Sequence, residues 1–244
     1  MTDPALSAAI RAALAANPAR VQRLEHEGRV IWIKRPERLA GLRRLQKGDP
    51  ARAFAAEMAG LRALAAAGCP VPDILDAGPA HLAVEDAGLS LAAILREGEG
   101  SAARRITVLA EAGHALARLH LSGHSHGRPA PRDLCWDGRR IVFIDPERYA
   151  AARNTPAGHA DDLLLFALGA HAVSQEPRPE IDAALGAYRR AAGPELWSAA
   201  LARAGRLRWF DWLSRPLQMR RPGKAKEFKA IPLTRAALAR AASG

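Results

Sequence analysis

The stretch His-Gly-Arg-Pro-Ala-Pro-Arg-Asp-Leu-Cys-Trp-Asp-Gly, residues 126 to 138, and the run Arg-Ile-Val-Phe-Ile-Asp that carries the chain on to Asp145 constrain the fold more than any other part of this sequence. The loop is broken by proline and glycine and lies between two helical patterns, 102–121 and 159–173. Ile141 to Ile144 reads as a short buried strand. It ends in an acid followed by Pro146, so a cap or turn former is a poor account of Asp145, whereas Asp137-Gly138 reads as a plain turn.

What surrounds the loop changes texture along the chain. Residues 4–16 form an Ala/Leu-rich helical pattern. Val21–His26 and Arg29–Lys34, separated by Glu27-Gly28, alternate as an antiparallel hairpin does, and Pro36 ends it. After an Arg-rich stretch, 52–67 carries Phe54, Met58, Leu61 and Leu64 or Ala65 on one helical stripe, stopped by Gly68 and Pro70. Two short strands follow at 73–77 and 81–85. Beyond them the chain is helical: 102–121, 159–173 opened by Asp161-Asp162, 178–192 and 194–213. A Pro/Gly-broken basic segment, 215–229, and a short helix, 232–242, complete it.

At 244 residues with 49% hydrophobic content the chain can bury a substantial core. Cys69 and Cys135 are too few for a disulfide framework, and the first twenty residues lack the apolar core of a signal peptide, so a cytoplasmic protein without a transmembrane segment is expected. The net charge is +11, of which residues 203–240 supply +9, with eleven Lys/Arg against Asp211 and Glu227. Such a patch suits a phosphorylated glycolipid, an anionic membrane surface or nucleic acid; a solvated helical face is the other reading.

The order of elements, a small strand-rich part with one helix and then a larger helical part, resembles a two-lobed protein kinase-like fold of the α+β class. Its segments would be an N-terminal helical extension (1–19), a small antiparallel-sheet lobe (20–87), a mainly helical lobe (88–214) and a basic C-terminal segment (215–244). Leu119-His120, His126-Gly127, Asp133 and Ile144-Asp145-Pro146-Glu147 stand in the order found in bacterial lipopolysaccharide kinases of the Kdo/InaA type. The resemblance implies ATP, magnesium and transfer of the terminal phosphoryl group to a hydroxyl. It further implies that Lys34, ending Val-Ile-Trp-Ile-Lys, contacts nucleotide phosphates and that Glu57 pairs with it. Asp133 and Asp145 would hold magnesium, Glu147 is a candidate extra ligand, and the segment 83–86, with Glu85 and Asp86, would be the hinge facing the adenine.

Two departures accompany the resemblance. Arg128 occupies the slot of the catalytic aspartate, and a guanidinium cannot accept a proton at ordinary pH. Either Arg128 stabilises phosphate oxygens while His126 or Asp133 orients the acceptor, or the chain is a pseudokinase or nucleotide-binding regulator in which Arg128 pairs with Asp133 or Asp145. The second departure is the lack of a glycine-rich hairpin before Lys34, since the first glycine is Gly28.

Other constellations carry less. His124, His126 and Cys135 lack the ligand count of a structural zinc site. Asp161 and Asp162 read as structural acids of the kind that hold a loop backbone. Trp209, Phe210 and Trp212 beside Arg206, Arg208 and Arg215 could stack on bases, but aromatic residues at helical spacing more often pack a core, and nucleic acid is the lesser expectation.

Overall fold

The computed structural model describes residues 3–36, 50–98, 100–206, 208–219 and 226–243. Most of the Arg-rich stretch after Pro36 and part of the basic segment between 215 and 229 lie outside these residues.

Helix α1 (Pro4–Ala16) is capped by Asp3, whose side chain accepts from the Ala5 amide, with proline at its first position. Strands β1 (Val21–His26) and β2 (Arg29–Lys34) form the expected hairpin. With β3 (Ile74–Gly78) and β4 (His81–Glu85) they make an antiparallel sheet of order β1-β2-β4-β3. Period-two alternation on β2 sends its two faces to different partners. Ile31 and Ile33 bury against Leu6 and Ile10 of α1, so the first helix belongs to the core of the sheet. Trp32 packs in the cluster of the opposite face, with Phe54 and Leu61 of α2 (Pro50–Ala66), and Lys34 shares its side of the strand.

A second antiparallel sheet joins β5 (Leu89–Ser90), β6 (Leu134–Trp136) and β7 (Ile141–Phe143). Helices α3 (Leu91–Glu97), α4 (Ala102–Leu121), α5 (Pro156–Ser174), α6 (Pro179–Arg206), α7 (Arg208–Gln218) and α8 (Lys226–Ser243) complete an α+β fold. The largest core runs through this part, with Leu109, Leu116, Phe143, Phe166 and Tyr188 all buried.

Three boundaries differ from expectation. Helix α5 begins at Pro156 under a Thr155 cap, so Asp161 and Asp162 fall in its second turn rather than opening it. Helix α6 breaks at Gly193, whose φ of 79° and ψ of 176° are not helical, in keeping with the separate patterns 178–192 and 194–213, but it ends at Arg206, and residues 208–213 belong to α7. Helix α8 starts at Lys226 and passes through Pro232. An interior proline costs about 3 kcal/mol; burial of Ala230, Thr234, Ala237 and Leu238 along one face outweighs it. Among the described residues no helix is long and apolar enough to cross a membrane.

Candidate functional site

The loop after α4 is held from beneath by one carboxylate. Asp162 Oδ2 accepts the His126 amide at 2.6 Å, and its two oxygens accept the Gly127 amide at 3.0 and 3.2 Å. Asp162 is 1% exposed, and His120 Nε2 lies 3.6 Å from the same oxygen. His120 in turn meets the Tyr188 hydroxyl at 2.8 Å and stacks on His159 with ring centroids 4.6 Å apart. Burial holds His120, His126 and His159 below their ordinary pKa, with His159 lowered to about 4, so this layer is neutral at pH 7. Gly127 has a φ of 94°, and a Cβ there would fall on the Arg148 carbonyl, so the loop can follow this path only with glycine.

His126 is itself buried. Its Nε2 lies 3.0 Å from the Ile144 carbonyl, which can only accept, so Nε2 carries the proton. The ring thus ties the loop to the end of β7 and does not line the adjoining cavity.

Asp133 closes the loop just before β6. Its amide donates to Ala130 and its carbonyl accepts from Ile144, which fixes the backbone across from Asp145. The residue is 2% exposed: Oδ1 accepts from Arg132 Nε at 3.3 Å, and Oδ2 has no hydrogen-bond partner among the described residues. Burial and then the charge of Asp145 push the carboxyl up to about 6, against the pull of Arg132 and Arg128. Asp145 has a φ of 58°, a left-handed conformation that aspartate tolerates better than most residues and that concentrates where a side chain must be aimed.

Lys34, Glu57 and Asp145 come together from three separate elements. Lys34 Nζ lies 2.6 Å from Glu57 Oε1 and 3.5 Å from Asp145 Oδ1. Glu57 neighbours Met58 on the buried stripe of α2 and is 5% exposed. Burial pulls the Lys34 ammonium down, but the two facing carboxylates outweigh it and hold its pKa above the ordinary lysine value. Desolvation pushes Glu57 up, and Lys34 offsets only part of that.

These three residues line a cavity of about 300 Å³, as do Glu85 and Asp86. The hinge is more occupied than expected. The Glu85 amide donates to Asp73, the Asp86 amide to Val30 and the Gly88 amide to Asp86 Oδ2. The Glu85 side chain accepts from Arg29 and that of Asp86 from Trp32 Nε1 at 2.6 Å. Trp32 and Arg132 also line this cavity, and neither was singled out from sequence, although Trp32 lies two residues before Lys34 and must share its face of the strand.

Arg128 pairs with Glu147, not with Asp133 or Asp145: its Nη2 donates to Glu147 Oε1 at 2.7 Å. Glu147, considered as an extra metal ligand, is engaged by that guanidinium instead. Asp161 pairs with Arg203, so of these two acids only Asp162 holds the loop. Among the described residues the only trio of metal-ligating side chains with mutually close donor atoms is Asp3, His26 and Glu27, which belong to the N-terminal helix cap and the hairpin turn; Asp133 and Asp145 stand as a pair.

No family model matches the chain. It is similar to an uncharacterized protein of Haemophilus influenzae, 31% identical over 147 residues. The matched stretch is 60% of this chain and 61% of that protein, less than two thirds of either.

Proposed function

We propose that this chain has a two-lobed protein kinase-like fold of the lipopolysaccharide kinase type and acts as an ATP- and magnesium-dependent phosphotransferase on a hydroxyl. The observation that carries the reading is Lys34, held between Glu57 and Asp145 at the wall of a 300 Å³ cavity. A strand lysine positioned by a helix glutamate suits the task of gripping nucleotide phosphates.

The donors fit a divalent cation. Asp133 offers a buried carboxylate oxygen without a partner, Asp145 a second carboxylate close enough to raise its pKa, and both are the hard oxygen ligands magnesium takes. Bound there, magnesium would neutralise charge on the phosphate oxygens. The chain's own residues do the rest. Glu57 keeps the Lys34 ammonium aimed at the cavity. Trp32, Val84 and Ala87 wall the space a base would fill, and Ala87 supplies the hinge amide, because those of its neighbours are engaged. Asp162 and His126 fix the loop backbone. Arg128, paired with Glu147, offers no base, so positioning and charge neutralisation by Lys34 carry the rate.

The acceptor that fits this reading is a core sugar of lipopolysaccharide or another glycolipid, met by a cytoplasmic protein peripheral at the inner membrane face through its basic C-terminal segment. The test is a thermal-shift and turnover series with ATP and magnesium. Stabilisation should need both ligands and vanish in Asp145→Asn. No stabilisation at millimolar nucleotide, or turnover that survives this change, would overturn the proposal.

The Arg128–Glu147 pair favours a second reading, a pseudokinase or nucleotide-binding regulator, since the arginine is committed to a structural partner. That reading predicts binding without turnover, and gain of turnover in Arg128→Asp.

A further inference from the structure

Helix α7 lies on the protein by one face only. Asp211 pairs with Arg235 of α8, Phe210 meets Phe228 at a centroid distance of 6.2 Å, and Ser214 and Gln218 complete the inner side. At 3.6 residues per turn, Trp209, Trp212, Leu213, Pro216 and Met219 share the opposite face. That face is bare: Trp209 is 61% exposed, Trp212 67%, Leu213 56% and Met219 86%. These aromatic residues therefore do not pack a core, as their helical spacing had suggested.

The stripe has a charged border. Arg208 and Arg215, one turn before and after Trp212, run along one edge of it and are exposed, as is Arg206 just upstream. They belong to the 203–240 region, whose net charge is +9. Indole rings and aliphatic side chains beside arginines are what an interfacial helix needs, because the apolar groups enter the headgroup boundary while the guanidinium groups stay with anionic phosphates. Two rivals fit less well. Bases could stack on the tryptophans, but Leu213, Pro216 and Met219 offer them nothing comparable. A second copy would set one strongly basic region against another.

We infer that the outer face of α7 is a docking surface for an anionic lipid bilayer. This inference stands apart from the phosphotransfer reading and would survive its failure. The test is co-sedimentation of the full-length protein with vesicles of phosphatidylglycerol and phosphatidylcholine, compared with phosphatidylcholine alone, alongside tryptophan emission. Binding should require phosphatidylglycerol, weaken as salt is added and shift the emission to the blue. Trp209→Ala/Trp212→Ala should lower binding about tenfold and abolish the shift, with circular dichroism and melting temperature unchanged, since both rings are exposed. Failure to bind anionic vesicles at low salt would overturn the inference, as would undiminished binding by the double variant. It would equally fall if the two substitutions abolished binding of single-stranded RNA, or a concentration-dependent dimer, and left vesicle binding intact.

Discussion

Arg128 and Glu147 form an ion pair 2.7 Å long, so the cation in the slot where a carboxylate was expected is neutralised by an acid two residues beyond Asp145. The side chains are 23% and 31% exposed, which limits what the pair contributes. A double-mutant cycle with Arg128→Ala and Glu147→Ala should give a coupling of about 1 kcal/mol in urea denaturation. Arg128→Asp should cost more than Arg128→Ala, because it sets a carboxylate against Glu147, and adding Glu147→Gln should restore the difference. Equal costs for the two single variants would contradict this.

Lys34 and Glu57 should respond asymmetrically. Lys34→Met leaves the Glu57 carboxylate buried without its cation and should cost about 3 kcal/mol. Glu57→Gln retains an oxygen that can accept from Lys34 and should cost about 1 kcal/mol. Replacing both, Lys34→Met with Glu57→Leu, should be more stable than Lys34→Met alone. Chemical denaturation of the three variants measures each step.

Asp162→Ala should remove the shared acceptor of the His126 and Gly127 amides and cost roughly 3 kcal/mol, because two buried donors lose their partner. Amide hydrogen exchange provides the specific readout. Protection at 126 and 127 should fall, whereas Asp161→Ala, which loses only the more exposed pair with Arg203, should leave it unchanged.

Stability should decline on acidification through the histidine layer. His159 takes a proton near 6.5 in the unfolded chain and near 4 in the folded one, so between those values the unfolded state binds more protons. The folded state loses stability as pH falls through that window, by about 3 kcal/mol for this residue, and the loss levels off below about 4. His120 is displaced in the same direction and adds to the effect. Melting curves from pH 7 to pH 4 should show a shallower decline in His159→Phe.

The residues that were legible in the sequence are those whose positions follow from periodicity. Lys34 ends an alternating strand and Glu57 adjoins the apolar stripe of a helix, so the cavity receives both. Asp133 and Asp145 bracket two short strands whose pairing brings their ends together. Periodicity does not say which carboxylate a long arginine side chain selects, and Arg128 takes Glu147. Nor does it bring together His120 and Tyr188, 68 residues apart. The helical spacing of Trp209, Phe210 and Trp212 suggested a packed core and gave no sign that both tryptophans would face outward, and Pro232 read as a helix start until burial carried α8 through it.

Gly60 of α2 sits so close to the segment after β7 that a Cβ there would lie 2.9 Å from Tyr149 Cβ and 3.0 Å from the Pro146 carbonyl oxygen. Glu57 is one turn before Gly60 on the same helix, and Glu147 is one residue beyond Pro146. The helix thus rests on the segment that Arg128 grips, while the Pro70 carbonyl, just past the helix end, accepts from Phe143. A methyl group at position 60 would therefore push α2 off the segment that Arg128 grips, and Glu57, one turn along the same helix, would be carried away from Lys34 with it.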